Sequence, residues 1–186
     1  MTNAATAYRR AALVAGLSGL LLAGWSEARV LMTKEQALGR AFPAAERVEK
    51  EILYFSEAET ERVEELARAP VDSRLFTVYR AFTDGRLTGY GFIDTRTVRS
   101  KAATFLVVLE PGGEVRQASI LAWQEPPEYQ PPERWLAQFI GRALSGDLRP
   151  GGAIQAMSGA SLTSRTLTDG IRRVLAIHRV KLAEGR

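Results

Sequence analysis

The sequence predicts an α+β fold: a single domain with a twisted, mainly antiparallel sheet packed by helices. Three observations predict it. Two capping boxes, Thr33-Lys34-Glu35-Gln36 and Ser56-Glu57-Ala58-Glu59, open amphipathic helical runs early in the chain. From Ser73 the apolar period changes to two, with hairpin turn signals at Asp84-Gly85 and Pro111-Gly112-Gly113. Near the C-terminus Leu167, Ile171, Val174, Leu175 and His178 recur at spacings of three and four, which describes a helix with one core-facing stripe.

In order, Tyr8-Arg9-Arg10 precedes an apolar or small run from Ala11 to Gly24 and a small-residue end at Ser26-Glu27-Ala28. A positive start, a short apolar stretch and small residues describe a signal peptide; with Trp25 and its small neighbours the run approaches the length of an N-terminal membrane anchor. Residues 1–28 are therefore expected to be one or the other, and 29–186 the domain. Export places that domain on the periplasmic or extracytoplasmic side. The first helix starts at Thr33 and stops near Phe42, before Pro43. Val48 to Phe55 reads as a strand, and the Ser56 box opens a helix through Ala67. Leu75–Phe82 and Leu87–Val98 form a hairpin, as do Ala103–Leu109 and Val115–Trp123. Gly89 and Gly91 flank Tyr90 and remove side chains from one strand face; a bulge, close packing or room for a flat ligand all satisfy that pattern.

Trp123 to Pro132 holds four prolines between 126 and 132, which favours extended geometry and a rigid connection. A helix from Pro132 or Glu133 through Ala143 follows, with Trp135, Leu136, Phe139, Ile140 and Leu144 on its apolar side. Gly151–Met157 is expected to be a short strand delivering Ser158 to the last helix, which runs to about Leu182. Gly170 within that helix costs up to about 1 kcal/mol relative to Ala. Arg172, Arg173, Arg179 and Lys181 fall mostly off the apolar stripe.

Composition removes several chemistries. The 186-residue chain is 46% hydrophobic, enough for one well-cored domain. It has no Cys, so disulfides, thiolate metal sites and thiol catalysis are excluded. The net charge of +4 is interspersed with Glu and forms no basic block, which argues against nucleic acid as a partner. The single His, His178, sits on the apolar stripe and reads as packing, leaving no metal cluster or His-based catalytic site. No Gly-x-Ser-x-Gly, Gly-x-Gly-x-x-Gly or Walker sequence occurs.

What remains is Met157-Ser158-Gly159-Ala160-Ser161-Leu162-Thr163-Ser164, a hydroxyl cluster at a helix N-terminus. The first N–H groups of a helix lack internal partners and the dipole favours negative charge. Ordinary capping and phosphate binding are both consistent with it.

Ser158-Gly159-Ala160-Ser161, followed by Leu162-Thr163-Ser164, resembles the flavinylation motif of the FMN-binding domain family. That family includes the covalent flavin subunits of sodium-translocating NADH:quinone reductases and of Rnf-type electron transport complexes. The resemblance implies FMN joined by a phosphoester to the last motif hydroxyl, here Ser161 where the family usually has Thr, by a separate flavin transferase. Gln155 stands where the family usually has Asp. Gly159 would let the backbone approach the cofactor and Ala160 would leave room for its chain. The turn at Leu162, with the Thr163 and Ser164 hydroxyls, would donate to the phosphate. Glu125-Pro126-Pro127 loosely resembles the family loop that lines the flavin pocket, and Phe139-Ile140-Gly141 its helix end. Tyr129, Trp123 and the strand bearing Tyr90 would then border the ring.

On this resemblance the chain is expected to be an electron-transfer flavoprotein rather than a stand-alone enzyme. Its partners would be a flavin transferase and a redox protein or membrane electron-transport complex. A non-redox ligand-binding or structural module of the same fold that has lost its flavin is the alternative.

Overall fold

The computed structural model describes residues 29–183; the expected signal or anchor segment lies outside the described residues. Six antiparallel strands form one sheet in the order β1-β6-β5-β4-β3-β2. They are β1 (Arg29–Val30), β2 (Arg47–Tyr54), β3 (Leu75–Thr83), β4 (Arg86–Thr97), β5 (Ala102–Leu109) and β6 (Val115–Trp123). Among the described residues four α-helices accompany them: α1 (Lys34–Ala41), α2 (Glu57–Ala67), α3 (Glu133–Leu136) and α4 (Ser161–Ile177). The expected α+β fold, an antiparallel sheet packed by helices, is the one observed.

Both early helices begin where their capping boxes place them. Thr33 and Gln36 exchange side-chain and backbone bonds at the start of α1, and Ser56 and Glu59 do the same for α2. The β3–β4 hairpin closes through Asp84 and Gly85, both with positive φ, the twist-matched two-residue turn. Strand β5 explains why the sheet has a core on each side. Phe105, Val107 and Leu109 face α2 and α4, while Leu106 and Val108 face α1, Phe42 and Leu121. An apolar run without polar alternation is what a central strand covered on both faces requires.

Two expectations are corrected. The helix from Glu133 ends early: α3 passes into a 3₁₀ turn at Ala137–Phe139, and Ile140 is extended and exposed. Gly141, at φ +75°, donates to the Val115 carbonyl and Val115 donates to Arg142, so pairing with the start of β6 captures the chain that would have continued the helix. Residues 151–157 form turns with a single bridge, Pro150 to Ile154, rather than a strand. Arg172 and Arg173, though off the apolar stripe, are buried. Of the readings left open at Gly89 and Gly91, close packing with a bulge is the one observed, since the space beside them is already filled. A Cβ on Gly89 would lie 1.8 Å from Arg116 Nη2, and one on Gly91 would lie 3.2 Å from the Phe42 ring. A register shift at Ala81/Phe82 completes the close-packed bulge.

Helix α4 packs lengthwise against the sheet and ends in a wider turn over His178–Leu182, closed by Ala183 N–H donating to the His178 carbonyl. Its Gly170 is a contact point, since a Cβ there would sit 2.5 Å from Cζ of buried Phe105. Gly170→Ala should gain up to about 1 kcal/mol in helix propensity. Pushing aside a close-packed ring costs about 1–3 kcal/mol. The expected net result is a lower urea midpoint; a raised midpoint would show that Phe105 can yield.

Candidate functional site

The start of α4 is held by its own hydroxyls, but not as caps. Ala160 is the N-cap residue and supplies no side-chain bond, while Ser161 occupies the first helical position with its side chain exposed. Thr163 and Ser164 turn inward. Thr163 Oγ1 donates to the Tyr129 carbonyl at 2.9 Å; Ser164 Oγ accepts from Met157 N–H at 2.9 Å and donates to the Ala160 carbonyl at 3.2 Å. Both are buried, which corrects the expectation that their hydroxyls face a phosphate. Their physical work is to fix the loop. Gly159 takes φ +75° in open space, so it is backbone conformation, not crowding, that calls for glycine there.

The loop before Ser158 is pinned as firmly. Gln155 N–H donates to Gln138 Oε1 at 2.8 Å, and its carbonyl accepts from the Trp135 indole at 2.7 Å. Trp135 of α3 and Gln138 of the turn after it thus hold the approach to the motif, and Gln155 contributes through its backbone while its side chain lies exposed.

Two adjoining cavities open at this point. A small one of about 210 Å³ is lined by Arg99, Tyr129 and residues 159–163. Sharing Ala160 with it, a larger groove of about 540 Å³ runs past Met157, Ser158, Trp135, Pro132 and Glu128. The Arg99 guanidinium carbon lies 4.4 Å above the Tyr129 ring, a cation–π contact that holds a positive charge on the wall of the smaller cavity. Ser161, an uncapped helix N-terminus and a guanidinium therefore border one space, an arrangement that suits a phosphate ester.

Glu125 acts one step back from this space. Its Oε1 accepts from the backbone N–H groups of Arg99, Ser100 and Lys101 at 2.9, 2.7 and 2.8 Å. Burial pushes its carboxyl up, but the three N–H groups and the Arg99 charge outweigh that and hold it below the usual carboxylate range. Glu125 thereby shapes the β4–β5 turn that carries Arg99.

No family model and no curated protein matches the chain. A solved structure, NqrC of Shewanella oneidensis, is similar with a TM-score of 0.48 and 14% identity, over 75% of this chain and 84% of that one.

Of the residues singled out in the sequence, Ser158, Gly159, Ala160, Ser161, Leu162, Thr163 and Tyr129 are brought together at the two cavities, with Ser164 beneath them. Tyr90 is not. It is buried against His178, their rings 5.2 Å apart, beyond the far end of α4. Seventeen helical residues from Ser161 to Ile177 intervene, about 25 Å at 1.5 Å per residue. Trp123 is likewise core, its indole donating to the Pro126 carbonyl. Arg99 is the residue that sequence reasoning missed. Its only local signal is a position in the short β4–β5 connection, and nothing there says that the connection folds toward a loop thirty residues on.

Proposed function

We propose that this protein is an extracytoplasmic flavoprotein that carries FMN through a phosphoester bond to Ser161 and exchanges electrons with a redox partner. The observation that carries the reading is the position of Ser161. It is the exposed first residue of an uncapped helix and borders, with Arg99, a cavity that joins a longer groove. The flavinylation-like motif at 158–164 names the ligand that such a space would take.

The residues fit the group in two respects. A phosphodiester keeps about one negative charge, which the helix N-terminus and Arg99 offset. The 540 Å³ groove is of the size that holds small-molecule cofactors, with Met157, Pro132 and the edge of buried Trp135 as apolar surface. When bound, the flavin supplies reversible redox chemistry; the chain itself holds it, orients it and sets the local charge. Attachment would be carried out by a separate flavin transferase from a flavin dinucleotide: the Ser161 oxygen would bond to the flavin-side phosphorus, the pyrophosphate bond would break, the nucleoside monophosphate would leave and the hydroxyl proton would be lost. The partner in electron exchange would be a redox protein or membrane electron-transport complex that meets the domain by contact.

Co-expression with a flavin transferase tests this. The wild-type chain should gain the mass of one FMN less water and give a fluorescent band that survives denaturation. Ser161→Ala should lose both completely, whereas Ser161→Thr should keep them. An unmodified wild-type chain under conditions that modify a known acceptor overturns the covalent assignment, and would favour a module of this fold without covalent flavin.

A further inference from the structure

The far part of α4 borders a cavity that the flavin site does not use. It holds about 300 Å³ between the end of α2, the last turns of α4 and the loop at 144–146, and the guanidiniums of Arg68, Arg172 and Arg179 line it. Arg172 lies eleven residues along α4 from Ser161, about 16 Å at 1.5 Å per residue, so this cavity is separate from the one at the motif. Arg172 is its fixed wall. It is 4% exposed, and its guanidinium is held by the carbonyls of Leu66, Ala67, Ser145 and Leu148. Arg179 lies in the wider turn that follows α4 and donates from Nη2 to the Leu144 carbonyl at 2.9 Å. Arg68 ends α2 in the left-handed conformation, at φ 54° and ψ 38°, and its Nη2 lies beside Gly146, where a Cβ would be 3.8 Å away. Glycine is the residue that such a helix end favours. Here an arginine occupies it, with its side chain in the cavity wall.

None of the three arginines enters an ion pair among the described residues. Glu65, the carboxylate that lines the same cavity, pairs instead with Arg62 at 2.5 Å. Burial pushes the Arg172 guanidinium below its ordinary value, and the charge of Arg68 pushes it the same way, so the two cations repel across the space. Asp169 offsets this from α4 but does not line the cavity. Carbonyl partners satisfy N–H groups without neutralising their charge; an oxyanion does both. Arg68 and Arg179 arrive from two different helix ends. A tetrahedral oxyanion presents oxygens to both forks at once, whereas a single carboxylate fills one. One water takes about 30 Å³ of liquid, so the cavity has room for a phosphate group and a few carbons beyond it.

We propose that Arg68, Arg172 and Arg179 form a binding site for a small phosphate monoester, with Arg172 as the fixed wall and Arg68 and Arg179 as the forks that hold the phosphate oxygens. The site stands apart from Ser161 and does not rest on flavin attachment.

Titration calorimetry of the full chain at constant ionic strength tests this, with glycerol phosphate as the probe and succinate as a dicarboxylate of similar size. Wild type should bind glycerol phosphate more tightly than succinate. Arg68→Gly and Arg179→Gln should each weaken glycerol phosphate binding about tenfold or more, the loss expected for charge-assisted bonds. Arg86→Gln, at an exposed arginine of β4, should leave it unchanged. Because glycine suits the left-handed position, Arg68→Gly should not lower the urea midpoint, so its lost binding is not lost folding. No binding by wild type, equal binding of the two anions, or full affinity in both Arg68→Gly and Arg179→Gln each overturns the proposal. So does an equal loss in Arg86→Gln, which would mark a general effect of charge. A loss in Arg99→Gln with none in Arg68→Gly would put the ester in the motif cavity instead, and overturns it as well.

Discussion

Replacing Arg172 with Ala should cost about 3–5 kcal/mol, the largest loss expected from any single substitution in this protein named above, because it removes one buried guanidinium from four carbonyl oxygens at once. Arg172 is 4% exposed, and its guanidinium donates to four carbonyl oxygens. Leu66 and Ala67 lie at the C-terminal end of α2, while Ser145 and Leu148 belong to the loop after α3. The last turn of α2 contains no basic residue of its own, so Arg172 supplies the positive charge that its dipole calls for from more than a hundred residues away. Arg172→Lys should recover little, since a single ammonium cannot fork to carbonyls on two segments. Urea unfolding followed by circular dichroism reads this directly. A midpoint within the range of ordinary surface substitutions would mean that water satisfies those carbonyls.

The same residue shows where sequence reading stops. The elements that were legible are fixed within a few residues of chain: both capping boxes, the Asp84-Gly85 turn, the period-two strands and the stripe of α4. The illegible ones depend on partners brought by the fold. An arginine off the apolar stripe of a helix reads as solvated, and only the loop at 145–148 and the end of α2 make burial affordable for Arg172. Arg173 is similar: it donates to the Pro70 carbonyl and pairs with Asp94, which also pairs with Arg96. Ile140 is exposed because Gly141 is drawn to Val115, and Gly89 has no side chain because Arg116 passes over it. At the site, the place of Ser161 was legible, but the inward turn of Thr163 and Ser164 was not, since it needs the Tyr129 carbonyl and the Met157 N–H as partners.

Glu125→Gln should destabilise the domain by about 2 kcal/mol, the range for hydrogen bonds to a charged group, and should loosen the site as well as the fold. One carboxylate oxygen gathers three consecutive backbone N–H groups, and an amide oxygen accepts them without the charge. The carboxyl is held below its usual value when folded, so the folded state binds its proton less readily than the unfolded state. Its contribution is therefore fully present above the unfolded carboxylate range near pH 4.3 and is lost as pH falls through the lower folded value. Wild-type stability should fall with acid in that window, and the Gln variant should show a shallower fall because this group no longer titrates. Arg99 begins the turn that Glu125 holds, and its side chain reaches the Ser161 cavity over Tyr129. The variant should consequently take up FMN more slowly than wild type in a timed flavin transferase reaction at neutral pH, where it remains folded. Equal rates would place Arg99 outside the acceptor geometry and leave Glu125 with the fold alone.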